Sequence, residues 1–174
     1  KPFFMAVGLS KPHLPWYVPQ EFFDLYPLGE IESIEFHRDD LDDIVDAQGR
    51  PILKPTSRFI AADEADMHDE AARAYLAVVS YADACLGALF DALEQSEYAD
   101  DTIVMIWGDH GWHLGEKLHY GKTRLWEESA RTPFIVSVPG TTQPGAQSEG
   151  VVNLIDMYPT LIELCDLPPN PANE

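Results

Sequence analysis

Asp101-Asp-Thr-Ile-Val-Met-Ile-Trp107, running directly into Gly108-Asp109-His110-Gly111-Trp112-His113-Leu114-Gly115-Glu116, decides how this chain is read. The apolar run is short, β-branched and bounded by turn formers, so it reads as a buried strand. Asp109 and His110 then stand just past its C-terminal end. In open α/β sheets that rim collects ligands, because loops leave the scaffold there and helix N-termini point back at it. A carboxylate beside an imidazole, with glycines on either side for close backbone approach, offers oxygen and nitrogen to a divalent cation. Taken alone, the dipeptide is more often a turn with a capping Asp.

Working outward, residues 71–93 carry Tyr75, Val78, Val79, Ala82, Leu86, Leu89, Phe90 and Leu93 at three- and four-residue steps, which predicts a helix with this face in the core. Asp83 falls in that stripe and is expected to bond to nearby backbone, and Cys85 to be a buried thiol. Residues 2–9 read as a first strand that delivers His13 into a Pro-rich loop. Residues 123–129 read as a short helix and 133–138 as a strand. A final helix over 156–165 begins with an Asp156 cap and ends before Leu167-Pro-Pro169. Strands alternating with helices give an α/β sandwich, a mixed β-sheet flanked by helices. Between these elements, residues 21–66 are acidic and read as an irregular insertion. Its run Asp39-Asp-Leu-Asp-Asp43 reads as solvated loop, since it lacks the glycine and spacing of an EF-hand.

With 174 residues, 45% of them apolar, the chain can bury a core as one domain, and no run looks long enough to span a membrane. A net charge of −19 argues against a nucleic-acid partner. It also repels anionic substrates, so any anion site here needs local positive charge that outweighs the overall field. Two cysteines eighty residues apart make no disulfide framework.

The full string resembles the sulfatase family. Gly-Asp-His-Gly-Trp-x-Leu-Gly-Glu is followed by Gly121-Lys-x-x-Leu-Trp-Glu-Glu-Ser129 and Arg131-Thr-Pro-Phe-Ile135. Further matches are Phe3-Phe-Met-Ala-Val-Gly-Leu-Ser-Lys-Pro-His13-Leu-Pro-Trp16, Tyr81-x-Asp83 and Asn153-Leu-Ile-Asp-Met-Tyr-Pro-Thr160. Iduronate-2-sulfatase-like and choline-sulfatase-like members are nearest in look. The resemblance implies an alkaline-phosphatase-like sandwich, with residues 1–174 as a C-terminal portion of its catalytic domain whose N-terminal part is absent. It places Asp109 and His110 where the family holds calcium and Lys122 where a lysine neutralises the sulfate. His13 falls where a histidine reaches the sulfate or the leaving oxygen, and Lys11 is a possible substrate contact. The implied substrate is a sulfated small molecule or carbohydrate, and the implied compartment is extracytoplasmic.

The resemblance also implies a formylglycine nucleophile made within Cys-x-Pro-x-Arg. Neither Cys85 nor Cys165 is followed by that Pro and Arg, so formylglycine is expected upstream, and the chain is expected to be inactive by itself. The alternatives are a truncated module that only binds calcium or a sulfated ligand, and a phosphatase or phosphonate hydrolase of the same superfamily. Of the neighbouring residues, His113 and His119 are expected at the surface or hydrogen-bonded. Trp16, Trp112 and Trp126 are expected to wall the pocket or pack under it. Glu116, Glu127 and Glu128 are candidates to hold Lys122 or Arg124 in place.

Overall fold

The computed structural model describes residues 1–32, 34–169 and 171. The apolar run before Gly108 forms β1 (Val104–Trp107), and it pairs antiparallel with β4 (Phe134–Ser137), with Val104 opposite Ser137 and Trp107 opposite Phe134. Between them lie the site loop, the short hairpin of β2 (His113–Leu114) with β3 (Tyr120–Gly121), and α4 (Glu127–Ala130). The expected short helix thus starts four residues late, because 123–126 turn instead.

The long helix is α3 (His68–Glu94), and α5 (Met157–Leu164) closes the chain. Asp156 does not cap α5 with its side chain. Its carboxylate instead accepts from the Asn153 N–H at 3.4 Å, across the 3₁₀ turn that precedes the helix. The α3 stripe is only partly buried: Val78 is in the interior and Val79 is exposed, while Tyr75, Ala82, Leu86, Leu89, Phe90 and Leu93 lie in between. Asp83 is exposed and Cys85 only half-buried, because little of the described chain packs over that half of the helix. In length and composition α3 could cross a membrane, a property the sequence reading did not find. Its N-terminal half packs on α1 (Gln20–Asp24), where the Arg73 guanidinium donates to the Phe23 carbonyl.

Residues 2–9 form no strand. A strand needs a hydrogen-bonding neighbour, and among the described residues none runs beside this segment, which is exposed throughout, Phe4 by 83%.

The 21–66 segment is less irregular than its composition suggests. It contains α1's end and all of α2 (Ser57–Glu64), and it contributes much of the core. Leu41 and Phe59 cluster with Leu118 and Tyr120 of the hairpin region, with Phe36, Ile44, Leu53 and Trp126 packed around them. Burial of each such side chain stabilises by roughly 1.5–3 kcal/mol. The acidic run is tied down rather than wholly solvated: Asp40 accepts from the Lys117 ammonium at 2.6 Å and from the Lys117 N–H at 3.1 Å. That bond holds Asp40 below the usual carboxylate range and raises the Lys117 pKa. Lys117 and Leu118 both adopt left-handed backbone conformations, and the Asp40 contact fixes that turn.

Candidate active site

Two glycines set the loop after β1. The Gly108 N–H donates to the Pro133 carbonyl at 3.1 Å and the Gly111 N–H to the Ser129 carbonyl at 2.9 Å, so the loop lies flat on α4 and the residues after it. A Cβ at Gly111 would overlap the Glu128 and Arg131 carbonyl oxygens, and one at Gly108 would overlap the Thr132 hydroxyl. Only glycine permits this approach.

On this loop the Asp109 carboxylate is 83% exposed and lies 3.4 Å from His110 Nε2. The Lys122 ammonium is 2.6 Å from the same nitrogen. An ammonium has no acceptor capacity, so His110 Nε2 accepts, and the ring proton sits on Nδ1, which donates to the Gly111 carbonyl at 2.8 Å. The structure therefore brings Asp109, His110 and Lys122 together. Among the described residues no group of three or more His, Cys, Asp or Glu comes together to hold a metal. Asp109 and His110 fit one side of a cation cage, not a whole one.

His13 reaches the same place through aromatic edges. Its ring meets Trp112 edge-on at 6.3 Å, Trp112 meets Trp16 at 6.3 Å, and Trp16 meets Tyr75 of α3 at 5.7 Å. Trp16 Nε1 donates to the Pro12 carbonyl at 2.9 Å, and the Lys11 ammonium turns back to the Pro15 carbonyl. Lys11 is not in the cavity wall.

That cavity, about 380 Å³, is lined by His13, Arg58, Trp112, His119 and Lys122 with Leu14, Thr56, Ser57, Tyr120 and Thr123. Thr56 is the joint that assembles it. Its hydroxyl oxygen accepts from Phe59 N at 3.3 Å, capping α2, and from Tyr120 N at 3.2 Å on β3, and its own N–H donates to the Leu118 carbonyl at 3.1 Å. Arg58, on α2's first turn, is thereby set beside Lys122. The sequence reading missed Thr56, Ser57 and Arg58. The signal was available in a threonine ahead of a helical run with an arginine, unfavourable for the helix dipole, in the first turn.

His113 and His119 are buried, 0% and 6% exposed, and are not surface residues. His113 Nδ1 donates to the Glu116 carbonyl at 3.2 Å and His119 Nε2 to the Lys122 carbonyl at 3.0 Å, the two rings meeting edge-on. Burial, above all, lowers the His119 pKa. Tyr120, pushed up to about 12 chiefly by burial, stays a neutral phenol, and its oxygen lies 2.9 Å from His68 Nδ1. Glu116 does not hold Lys122: its carboxylate accepts from Leu114 N at 2.6 Å, while Glu127 pairs with Arg131. Trp126 packs beneath, edge-on to His113, and Trp112 lines the cavity.

The family model described as Sulfatase matches residues 1–167. A protein named Sulfatase from Formosa agariphila is 39% identical over the whole chain, which covers 34% of that relative. Iduronate 2-sulfatase of Homo sapiens is 31% identical over 95% of the chain and 36% of the relative. Choline-sulfatase of Rhizobium meliloti is 32% identical over 96% of the chain and 32% of the relative. The crystal structure of yidJ from Bacteroides fragilis, assigned there to the sulfatases, superimposes with a TM-score of 0.64 at 26% identity, over 88% of this chain and 30% of that one. The chain belongs to the sulfatase family, and its α/β arrangement is that of the family's alkaline-phosphatase-like fold. It spans about a third of the length of the curated relatives it matches.

Proposed function

We propose that the protein containing this chain is a sulfuric ester hydrolase, and that Asp109, His110, Lys122 and His13 are the part of its site that the chain supplies. The observation that carries this reading is the contact of the Lys122 ammonium with His110 beside a cavity whose wall contains no carboxylate. Sulfate-ester cleavage builds negative charge on the leaving oxygen, so it needs cations and donors fixed beforehand. Lys122 supplies a compact point charge for the sulfate oxygens. His13, its Nδ1 2.5 Å from the Leu14 carbonyl, hands a proton to the leaving oxygen from its imidazolium form. Lys11 would approach the substrate only by leaving the Pro15 carbonyl.

Asp109 and His110 would be donors to calcium. Such an ion takes about six to eight oxygens, so further donors must come from outside these residues. When bound, it adds positive charge that holds and polarises the sulfate. Neither Cys85, on α3, nor Cys165, at the end of α5, lies in the cavity wall, so in this reading the formylglycine nucleophile would come from another segment. The substrate class is a sulfated small molecule or carbohydrate, bracketed by relatives named for iduronate and choline, and an extracytoplasmic location belongs to the same reading. The test is sulfate release from 4-nitrophenyl sulfate by the full-length protein, with 4-nitrophenyl phosphate in parallel. Turnover of the sulfate that is lost in Lys122→Ala is expected. Faster turnover of the phosphate would replace this reading with a phosphatase.

A further inference from the structure

Arg58 stands out among the arginines. Arg38, Arg50 and Arg131 pair with carboxylates, and Arg73 and Arg124 donate to backbone carbonyls. Arg58 has no hydrogen bond or ion pair among the described residues, yet it lines the cavity. An added Cβ at Gly121 would lie 3.6 Å from its Nη1 and 3.5 Å from His119 Nε2, so guanidinium and imidazole flank the residue next to Lys122.

Two features make this corner electrostatically incomplete. First, Arg58 is the second residue of α2, where the helix dipole is positive and a cation is unfavourable. Second, the Ser57 and Arg58 N–H groups of that first turn find no acceptor among the described residues. In a chain of net charge −19, the wall around these groups holds no Asp or Glu. Lys122 and Arg58 together present two positive charges, and a sulfate monoester brings one negative charge. A planar guanidinium fork matches a second oxyanion in bidentate fashion.

We propose that Arg58, with the N-terminal turn of α2, forms a specificity subsite for a second anionic group on the substrate, a carboxylate or a further sulfate. The proposal rests on the sulfatase reading and names its substrate class: sulfate esters that carry two oxyanions.

Its test uses the full-length protein, unaltered and Arg58→Gln, on aryl glycosides bearing one sulfate at a common ring position. They carry hydroxymethyl, carboxylate or sulfate-ester groups at C5. The unaltered protein is expected to favour one or both dianionic probes in kcat/KM. Arg58→Gln is expected to lower kcat/KM for the favoured probe on the order of 10- to 100-fold, as loss of a charged hydrogen-bond donor does. It should change the hydroxymethyl probe by no more than about twofold. Which dianion is favoured tells carboxylate from sulfate. An equal fall on all three probes would make Arg58 part of the primary sulfate site and overturn the proposal, as would no fall on any. Calorimetric titration with the desulfated carboxylate and sulfate-ester glycosides adds a readout independent of turnover. Arg58-dependent binding without hydrolysis of any probe would keep the subsite and reject the sulfatase reading. Because Arg58 is exposed on its helix, matching thermal melts are expected for the two proteins.

Discussion

Lys122 Nζ lies 2.6 Å from His110 Nε2, and that nitrogen is the one a cation beside Asp109 would use. Lysine and a bound cation would therefore compete for His110. A bound oxyanion would resolve the competition, because it would give the ammonium a stronger, charged partner than a neutral imidazole.

Lys122→Ala in the full-length protein should lower kcat/KM for an aryl sulfate on the order of 10²-fold or more, the size expected when a transition-state charge partner is removed. Steady-state kinetics checks this, and unchanged turnover would remove Lys122 from the site.

Calcium should raise the melting temperature of the full-length protein, since a ligand that binds only the native state stabilises it. Asp109→Ala should abolish most of that rise by removing a carboxylate donor. Calorimetric melts with calcium and with chelator decide the matter; identical melts of the unaltered protein in both would exclude the metal role.

Gly111→Ala places a methyl group on the Glu128 and Arg131 carbonyl oxygens, which are backbone and cannot swing aside. Destabilisation of about 1–3 kcal/mol is expected, as for overpacking elsewhere. A urea midpoint equal to that of the unaltered protein would mean that the loop relaxes freely.

Stability should change with pH in two separate windows. Asp63, held at about 2 mainly by its hydrogen bonds from Arg38, adds stability above its unfolded pKa of 3.8, and this is lost as pH falls from there through about 2. His119 has its folded pKa below 6.5, so the unfolded chain takes up its proton first and stability declines as pH drops below about 6.5. Denaturant midpoints from pH 8 to 2 should show both declines. Asp63→Asn should flatten the lower one, and His119→Phe the upper.

The strand before Gly108, the long helix, the strand at 134–137 and the loop carrying Asp109 and His110 were legible in the sequence, whereas Lys122, just past β3, was singled out only by the family resemblance. Each rests on short-range signals: β-branched runs, a helical apolar period, and glycines that allow backbone contact. Residues 2–9 carry an equally apolar signal and yet form no strand, because pairing depends on a neighbour that local pattern does not specify. The acidic 39–43 run looked solvated because its partner, Lys117, lies 77 residues away. The burial of His113 and His119 likewise follows from the hairpin folding back onto Phe59 and Trp126.

What the sequence by itself determined is the local chemistry: which loop follows which strand, and which charged side chains it can present. The tertiary structure alone decided that Thr56 joins α2 to β3 and so places Arg58 beside Lys122. Hydrogen bonds between residues more than sixty positions apart leave no periodic trace in the chain, and only the packed core around Phe59 and Tyr120 brings them within reach.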